Sequence, residues 1–274
     1  MKKNKTNSFD SLVENFVNEF GKITNIGLVQ TDKHINEIFN RITFRMADII
    51  SFKQLVCNSF IPAANKSIFQ AKQDFNKSKY KNWLKAPDLV FSETLNDTVR
   101  LAYVGLFHKL ENFVNDIIDI NNKIFEDNFQ DGYTSEKWGK EKFNFDLKNW
   151  WHIDINFKIS WIANCIKHKD GYPVKEPIPW QFKHIDKSKR IVLSKDDFKT
   201  DCDEVISSYK KFMQILVFIA RHKITHDELN RKEEFYPMKE EHRSELTELH
   251  EKMEKSIQKI VDLWKPMELD VAKK

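Results

Sequence analysis

A short segment at residues 221–226 contains side chains that can carry acid–base chemistry. Arg221 is followed directly by His222, and His226 lies five positions after Arg221. An imidazole can take a proton from a hydroxyl and return one to a leaving oxygen, because its pKa lies near neutrality. A guanidinium can stabilise the charge that develops on a phosphate in a transition state. The segment therefore favours a metal-independent ribonuclease site; the alternative is an exposed helix end that carries polar residues.

A second segment, residues 161–171, carries the polar pair Asn164 and His168 and ends in the turn signal Lys169-Asp170-Gly171. Residues four apart lie on one face of a helix, so the spacing predicts that Asn164 and His168 are neighbours at a helix end. The functional hypothesis is that they belong to a catalytic site. The alternative is that they cap or hydrogen-bond a buried helix terminus.

The run Ala163-Asn164-Cys165-Ile166-Lys167-His168-Lys-Asp-Gly171 resembles the Arg-Asn-x-x-x-His-x-x-Gly segment of the HEPN superfamily of helical domains. Upstream, Phe107-His108-Lys109-Leu110-Glu111-Asn112-Phe113 resembles the long first helix of such domains. The resemblance covers about residues 93–230. It implies a helical, commonly dimeric ribonuclease, often a toxin or a phage-defence effector, with Arg-x4-6-His as the catalytic motif.

The chain departs from the family pattern at Ala163, where the family has its catalytic arginine. Either the first copy is degenerate, or the motif is Arg221-x4-His226, in which His222 is the polar residue that follows the arginine. A third alternative brings Arg221 and His226 against His168 across a dimer. If the site were at His168, Lys167 or Lys158 would have to supply the cation.

These arguments give one set of candidate residues. The candidate catalytic residues are Arg221, His226, His222, His168 and Asn164, and the candidate binding residues are Lys167, Glu111 and His108. We expect no metal and no cofactor, since the Glu233-Glu234 and Glu240-Glu241 pairs have no histidine or aspartate at ligand spacing. The Lys-rich segment 66–85, with interleaved aromatics, could contact an RNA backbone, although a solvated amphipathic helix is the preferred interpretation.

Apolar periodicity predicts the elements that position these residues. The expected helices are 9–29, 33–58, 64–84 after an interruption at Pro62, about 93–126, 145–167, a helix after Ser194 that breaks near residue 224, and about 240–264. Residues 131–142 are expected to form a loop, and 190–193 a short extended segment. Helix 145–167 has two apolar stripes, which predicts burial between two layers or at a dimer interface.

Composition excludes several classes of protein. With 6 Gly and 7 Pro in 274 residues, folds built from many tight turns are disfavoured, and an all-α bundle is expected. We expect an N-terminal helical region, 1–90, and a HEPN-like helical domain, 91–274. The net charge of +4 is only mildly basic. The three distant cysteines argue against a disulfide framework or zinc site and are expected to be buried free thiols. No apolar run has membrane length, so a cytoplasmic protein is expected.

The leading hypothesis is therefore a metal-independent RNA endonuclease of the HEPN type, a homodimer that acts as a toxin or defence effector. RNA is the expected substrate, an antitoxin or sensor protein the expected regulator, and no membrane partner is expected. The first alternative is a catalytically inactive helical interaction or regulatory module of the same fold. The second is a nucleotide-binding or nucleotidyl-modified regulatory domain.

Overall fold

The protein is all-α, as predicted. The computed structural model describes residues 33–84, 88–126, 129, 131–146, 149–150, 154–231 and 237–263, and no β-strand occurs among them. The predicted helix 9–29 lies outside the described residues. In chain order the helices are α1 (Lys33–Leu55), the π-helical segment Val56–Phe60, α2 (Ile61–Lys77), α3 (Lys81–Leu84), α4 (Asp88–Glu126), α5 (Ser135–Phe143), α6 (Asp154–Lys169), the 3₁₀ turn Trp180–Phe182, α7 (Lys195–Asn230) and α8 (Glu240–Leu263).

Pro62 does not interrupt the chain as the sequence suggested. The π-helical segment Val56–Phe60 joins α1 to α2, and the backbone N–H of Ile61 donates to the carbonyl of Val56, five residues back. Pro62 lies in the first turn of α2. A proline ring clashes with the carbonyl four residues back in a regular α-helix, and the wider π turn relieves that clash. Proline is thus accommodated without a break.

The predicted loop 131–142 contains helix α5. The hydroxyl of Thr134 accepts a hydrogen bond from the N–H of Lys137 at 3.2 Å, which caps the helix N-terminus. Ser135, Gly139 and Phe143 are buried at spacings of four residues. The helix was missed because its apolar face holds only small residues and one Phe among charges.

Two further helix boundaries differ from the expectation. Helix α6 begins at Asp154, nine residues later than predicted. Helix α7 runs without a break past residue 224, because Thr225 is 6% exposed and its position is inside a packed helix rather than at a new N-terminus. The predicted start of α7 is confirmed, since the Ser194 hydroxyl accepts a hydrogen bond from the N–H of Asp197 at 3.0 Å.

The described residues divide into two compact units. Unit 1 comprises those within Met1–Ala47, Phe113–Ile153 and Tyr209–Lys274, and unit 2 those within Asp48–Asn112 and Asp154–Ser208. The predicted regions 1–90 and 91–274 were drawn from the family resemblance rather than from compactness, and their boundary stays a prediction.

Each unit has its own aromatic core. In unit 1 the rings of Phe113 and Tyr209 are stacked with centroids 3.6 Å apart, and Trp150 lies 5.0 Å from Phe212. In unit 2, Phe198 contacts the ring of Tyr103 edge-on at 5.3 Å. The large number of Phe residues is thus used in both cores, where an aromatic side chain buries a large apolar area.

Cys57, Cys165 and Cys202 are free and buried, as predicted. Burial raises the pKa of the Cys165 and Cys202 thiols, so these groups are protonated near neutral pH. Within the described ranges, none of the helices is apolar over a stretch long enough to cross a bilayer.

Candidate functional site

Three imidazoles, called here the histidine cluster (His222, His226 and His250), lie together in unit 1. His222 and His226 are one turn apart on α7 and so share a face of that helix. His250 comes from α8, where it occupies the apolar stripe that continues through the buried Met253 and Ile257. The His222 and His250 rings are stacked with centroids 4.0 Å apart, and the His226 ring is 6.0 Å from that of His250.

Helix α5 covers one side of the histidine cluster with two aromatic rings. The indole N–H of Trp138 donates to Nδ1 of His222 at 3.0 Å, and the Trp138 ring lies 5.0 Å from that of His226. Phe143 meets the His222 ring edge-on at 4.9 Å. Gly139 lets α5 approach α7 closely, because a Cβ at that position would lie 3.0 Å from Cδ1 of Ile219.

His222 is neutral and enclosed. Its side chain has no exposed surface. Burial, followed by the charges of His250, Lys142 and His226, lowers its pKa to about 3. Because Nδ1 accepts the Trp138 hydrogen bond, the ring hydrogen is on Nε2, and Nε2 is buried without a partner among the described residues. A neutral ring in this position serves to orient its neighbours and is a poor proton carrier.

His226 and His250 are less enclosed than His222, and Nε2 of His250 is buried without a partner among the described residues. The His226 side chain is 36% exposed, and its Nδ1 lies 3.5 Å from a carboxylate oxygen of Asp227. His250 is half-buried, and burial lowers its pKa, although the charge of Glu254 acts in the opposite direction. Lys142 of α5 pairs with Glu254 at 3.8 Å and adds a positive charge near the rings of His250 and His222.

The buried ammonium of Lys223 holds the turn at 131–134 against α7, next to the histidine cluster. The Lys223 side chain is 1% exposed and pairs with Asp227 of its own helix and with Asp131 at 2.9 Å. The ammonium also lies 5.2 Å from the centre of the Tyr133 ring and 5.0 Å from that of Trp138. Burial opposes the charge, but the hydrogen bonds to Asp227 and Asp131 outweigh it and raise the pKa of Lys223. The turn at 131–134 is thereby tied to α7.

Arg221 does not share the face of His226. Residues five apart on a continuous α-helix are separated by about 140° around the axis. Arg221 is half-buried, and its guanidinium has no ion pair with another described residue. The two predicted partners could therefore act on one phosphate only if the substrate lay across the edge between the two helix faces.

A metal ion fits this cluster poorly. His222, His250 and Glu254 each bring one potential ligand atom to within 4.8 Å of the others. An imidazole binds a metal through a nitrogen that carries no hydrogen, and its other nitrogen normally donates a hydrogen bond. Trp138 faces His222 with a donor, which leaves the hydrogen on the nitrogen that would have to bind the metal. The three ligand atoms lie close enough together to bind one metal ion, but the hydrogen bond from Trp138 prevents His222 from acting as a ligand.

The second predicted segment lies in unit 2 and forms no comparable cluster. The Asn164 amide donates to the Ser160 carbonyl at 2.8 Å, one turn back in its own helix, and His168 is exposed at the end of α6. The ammonium of Lys167 lies 5.0 Å from the centre of the Phe107 ring. Ala163, where the resemblance to the HEPN segment predicts an arginine, has no exposed surface.

His108 and Glu111 form an exposed pair on α4 in unit 2. The His108 ring nitrogen lies 3.6 Å from the Glu111 carboxylate, and the His108 side chain is 73% exposed. Among the described residues, no third group holds either side chain of this pair. Their predicted role as partners of the Asn164 and His168 site stays a prediction.

Sequence reasoning missed His250 and Trp138. His250 is surrounded by charged residues in the sequence, yet it falls four after Leu246 and three before Met253, on the apolar stripe of α8. That spacing is the signal that could have found it. Trp138 was hidden because α5 itself was taken for a loop.

Comparison with known proteins adds no relative: no family model matches the chain, and no curated protein and no solved structure matches it significantly.

Proposed function

We propose that the protein is a metal-independent endoribonuclease whose proton-transfer groups are His226 and His250. The observation that carries the proposal is a pair of imidazoles from two helices, neither of them fully buried, whose rings are 6.0 Å apart and are bordered by the aromatic ring of Trp138. Cleavage of RNA without a metal requires a base for the 2′-hydroxyl and an acid for the 5′-oxygen. Two neighbouring imidazoles can supply both, and Lys142 supplies a cation near His250.

The proposal assigns roles within the cluster. His226, the more exposed ring, exchanges protons with the substrate, with Asp227 next to its Nδ1. His250 exchanges a proton with the second reacting oxygen, so that one ring serves the 2′-hydroxyl and the other serves the 5′-oxygen. Attack of the 2′-oxygen on phosphorus breaks the bond to the 5′-oxygen and leaves a 2′,3′-cyclic phosphate and a 5′-hydroxyl. His222 positions Trp138, and Arg221 contributes charge to a phosphate that extends across α7.

The test is RNA cleavage in EDTA by matched histidine variants. We expect His226→Ala to lower the cleavage rate by roughly 10²–10⁴-fold, the usual contribution of a general acid or base. His242→Ala is the matched control, because His242 lies on α8, about 12 Å along the helix from His250, and its side chain is 54% exposed. It should cleave at the wild-type rate, and His168→Ala should too.

Three outcomes would contradict the proposal. They are a wild-type protein that cleaves no RNA in EDTA, a His226→Ala protein that cleaves as well as wild type, and products that lack a cyclic phosphate. If His168→Ala is the variant that loses activity, the site is in unit 2 and the assignment to the histidine cluster is wrong.

A catalytically inactive interaction or regulatory module is the second candidate. Two observations favour it: Ala163 is enclosed, so the family's catalytic position holds no accessible cation, and Arg221 does not share the face of His226. This module would bind RNA or protein without cleaving RNA, so the assay in EDTA separates the two candidates.

The biological setting is proposed from the family resemblance. We propose a cytoplasmic toxin or defence effector, a homodimer, controlled by an antitoxin or sensor protein. The apolar stripe of α6 that suggested dimerisation is covered within unit 2 at Trp161, whose ring stacks on Phe182 with centroids 5.0 Å apart. The homodimer therefore rests on the resemblance, and sedimentation at tens of micromolar protein would test it.

A further inference from the structure

A cavity of about 290 Å³ in unit 2, called here the lysine cavity, is lined by an unusual set of side chains. The lining residues are Lys53, Gln54, Cys57, Asn58, Lys195, Asp196 and Lys199. Five of these seven bring side-chain nitrogens that donate hydrogen bonds, and one brings a carboxylate. Such a wall suits a ligand with several acceptor oxygens and net negative charge.

Two of the lysines are available to a ligand. Lys195 and Lys199 lie four apart in the first turns of α7 and are exposed, and neither pairs with another described residue. Lys53 already pairs with the carboxylate of Asp203. The cavity therefore holds two ammonium groups whose charge no neighbour within the described part of the chain neutralises through an ion pair.

The amides and the carboxylate narrow the ligand class. Gln54 and Asn58 are exposed on the side of α1 and the π-helical segment, and their amides can donate to oxygens that the lysines leave unpaired. Asp196 can only accept a hydrogen bond when ionised, so it would repel a bare anion and favour a hydroxyl group. The volume lies at the lower limit for small-molecule sites.

We propose that the lysine cavity binds a small phosphate monoester that carries free hydroxyl groups. The phosphate contacts Lys195 and Lys199, with the amides of Gln54 and Asn58 completing its hydrogen bonds. A hydroxyl of the alcohol part donates to Asp196. This site shares no residue with the histidine cluster and does not rest on RNA cleavage.

The experiment is calorimetric titration of the full-length protein with ribose 5-phosphate, inorganic phosphate and ribose. We expect ribose 5-phosphate to bind more tightly than inorganic phosphate, and ribose alone not to bind. Lys195→Ala and Lys199→Ala should each weaken ribose 5-phosphate by about tenfold or more, since a charged hydrogen bond contributes about 1.5–3 kcal/mol. Lys189→Ala, at an 80% exposed lysine outside the cavity, should leave binding unchanged.

Asp196→Asn tests the role of the carboxylate separately. It removes a negative charge, so inorganic phosphate should bind more tightly than to wild type, while the advantage of ribose 5-phosphate over phosphate should shrink. Amide NMR locates the ligand: the side-chain signals of Gln54 and Asn58 should shift on titration. All of these residues except Lys53 and Cys57 are exposed, so the variants are expected to fold.

Four results would overturn the proposal. They are no binding of ribose 5-phosphate to wild type at millimolar concentration, equal binding by wild type and the Lys195→Ala, Lys199→Ala double variant, ligand-induced shifts confined to residues outside the cavity, and no preference for the ester over free phosphate. The His226→Ala protein should bind ribose 5-phosphate like wild type, which separates this result from the outcome of the nuclease test.

Discussion

Helix α7 at 222–226 and helix α6 at 164–168 each carry a polar pair four residues apart, yet the two pairs have different surroundings. In unit 1, His222 is enclosed by Trp138 and by His250, which come from other helices. In unit 2, the Asn164 amide turns back to the Ser160 carbonyl of its own helix, and His168 is exposed. Spacing predicted the shared helix face of Asn164 and His168, whereas the predicted break near residue 224 separated His222 from His226. Partners from distant parts of the chain decided which pair became a cluster.

The largest effect on the free energy of unfolding should come from Trp161, the buried aromatic residue one turn before Asn164. Trp161 in unit 2 is 2% exposed, stacks on Phe182 and donates its indole N–H to the Lys175 carbonyl at 2.6 Å. We expect Trp161→Ala to lower the free energy of unfolding by about 3–5 kcal/mol, measured by urea denaturation. Trp180→Ala, at a 65% exposed tryptophan, should change it by less than about 1 kcal/mol. Equal effects would mean that α6 is not packed at Trp161.

The next effect is the pH dependence of stability that His222 confers. Its pKa is about 3 in the folded chain and near 6.5 when unfolded, so between those values the unfolded chain binds a proton that the folded chain does not. The stability contribution is therefore present above pH 6.5 and is lost as the pH falls. Relative to His222→Phe, the wild type should lose about 1.4 kcal/mol more per pH unit between pH 6 and pH 4.

The variant serves as the control for this prediction. Asp131 and Asp197, whose pKa values are lowered in the folded chain, also cost stability in acid, but they do so in both proteins. Urea denaturation at pH 7, 6, 5 and 4 gives the two curves. If the free energies of unfolding of the two proteins fell in parallel with pH, His222 would be accessible to protons and would not be enclosed by Trp138 and Phe143.

The smallest effect should be seen at His168. Because the side chain is exposed and its neighbour Asn164 bonds within α6, we expect His168→Ala to change the free energy of unfolding by less than about 0.5 kcal/mol. A loss above 1 kcal/mol would show that His168 has a structural partner, as His222 does, and the contrast between the two segments would be smaller.

The sequence predicted the helical class, because few glycines and strong apolar periodicity are local properties. It predicted the start of α7 at Ser194 because a capping pattern is also local. It predicted the buried cysteines because cysteine is among the most buried residue types. It placed a break at Thr225, since the capping pattern is local while the burial that cancels it is tertiary.

The candidate site was only half predictable. His222 and His226 were both named as candidates, although the predicted break near residue 224 separated them. His250 is supplied by α8, and Trp138 by a helix too short and too charged to show a pattern. The predicted partnership of Arg221 with His226 came from a motif, and it does not survive in a continuous helix, where a spacing of five residues places the two side chains about 140° apart.

The enclosure of Lys223 has a consequence for chemical labelling. The chain holds 38 lysines, once the seven arginines are subtracted from its 45 basic residues. An acylating reagent attacks the deprotonated amine, and Lys223 is both held protonated by Asp131 and Asp227 and shielded from solvent. It should be among the last lysines to react. Its appearance in a mass-spectrometric time course would report the moment at which the turn at 131–134 leaves α7.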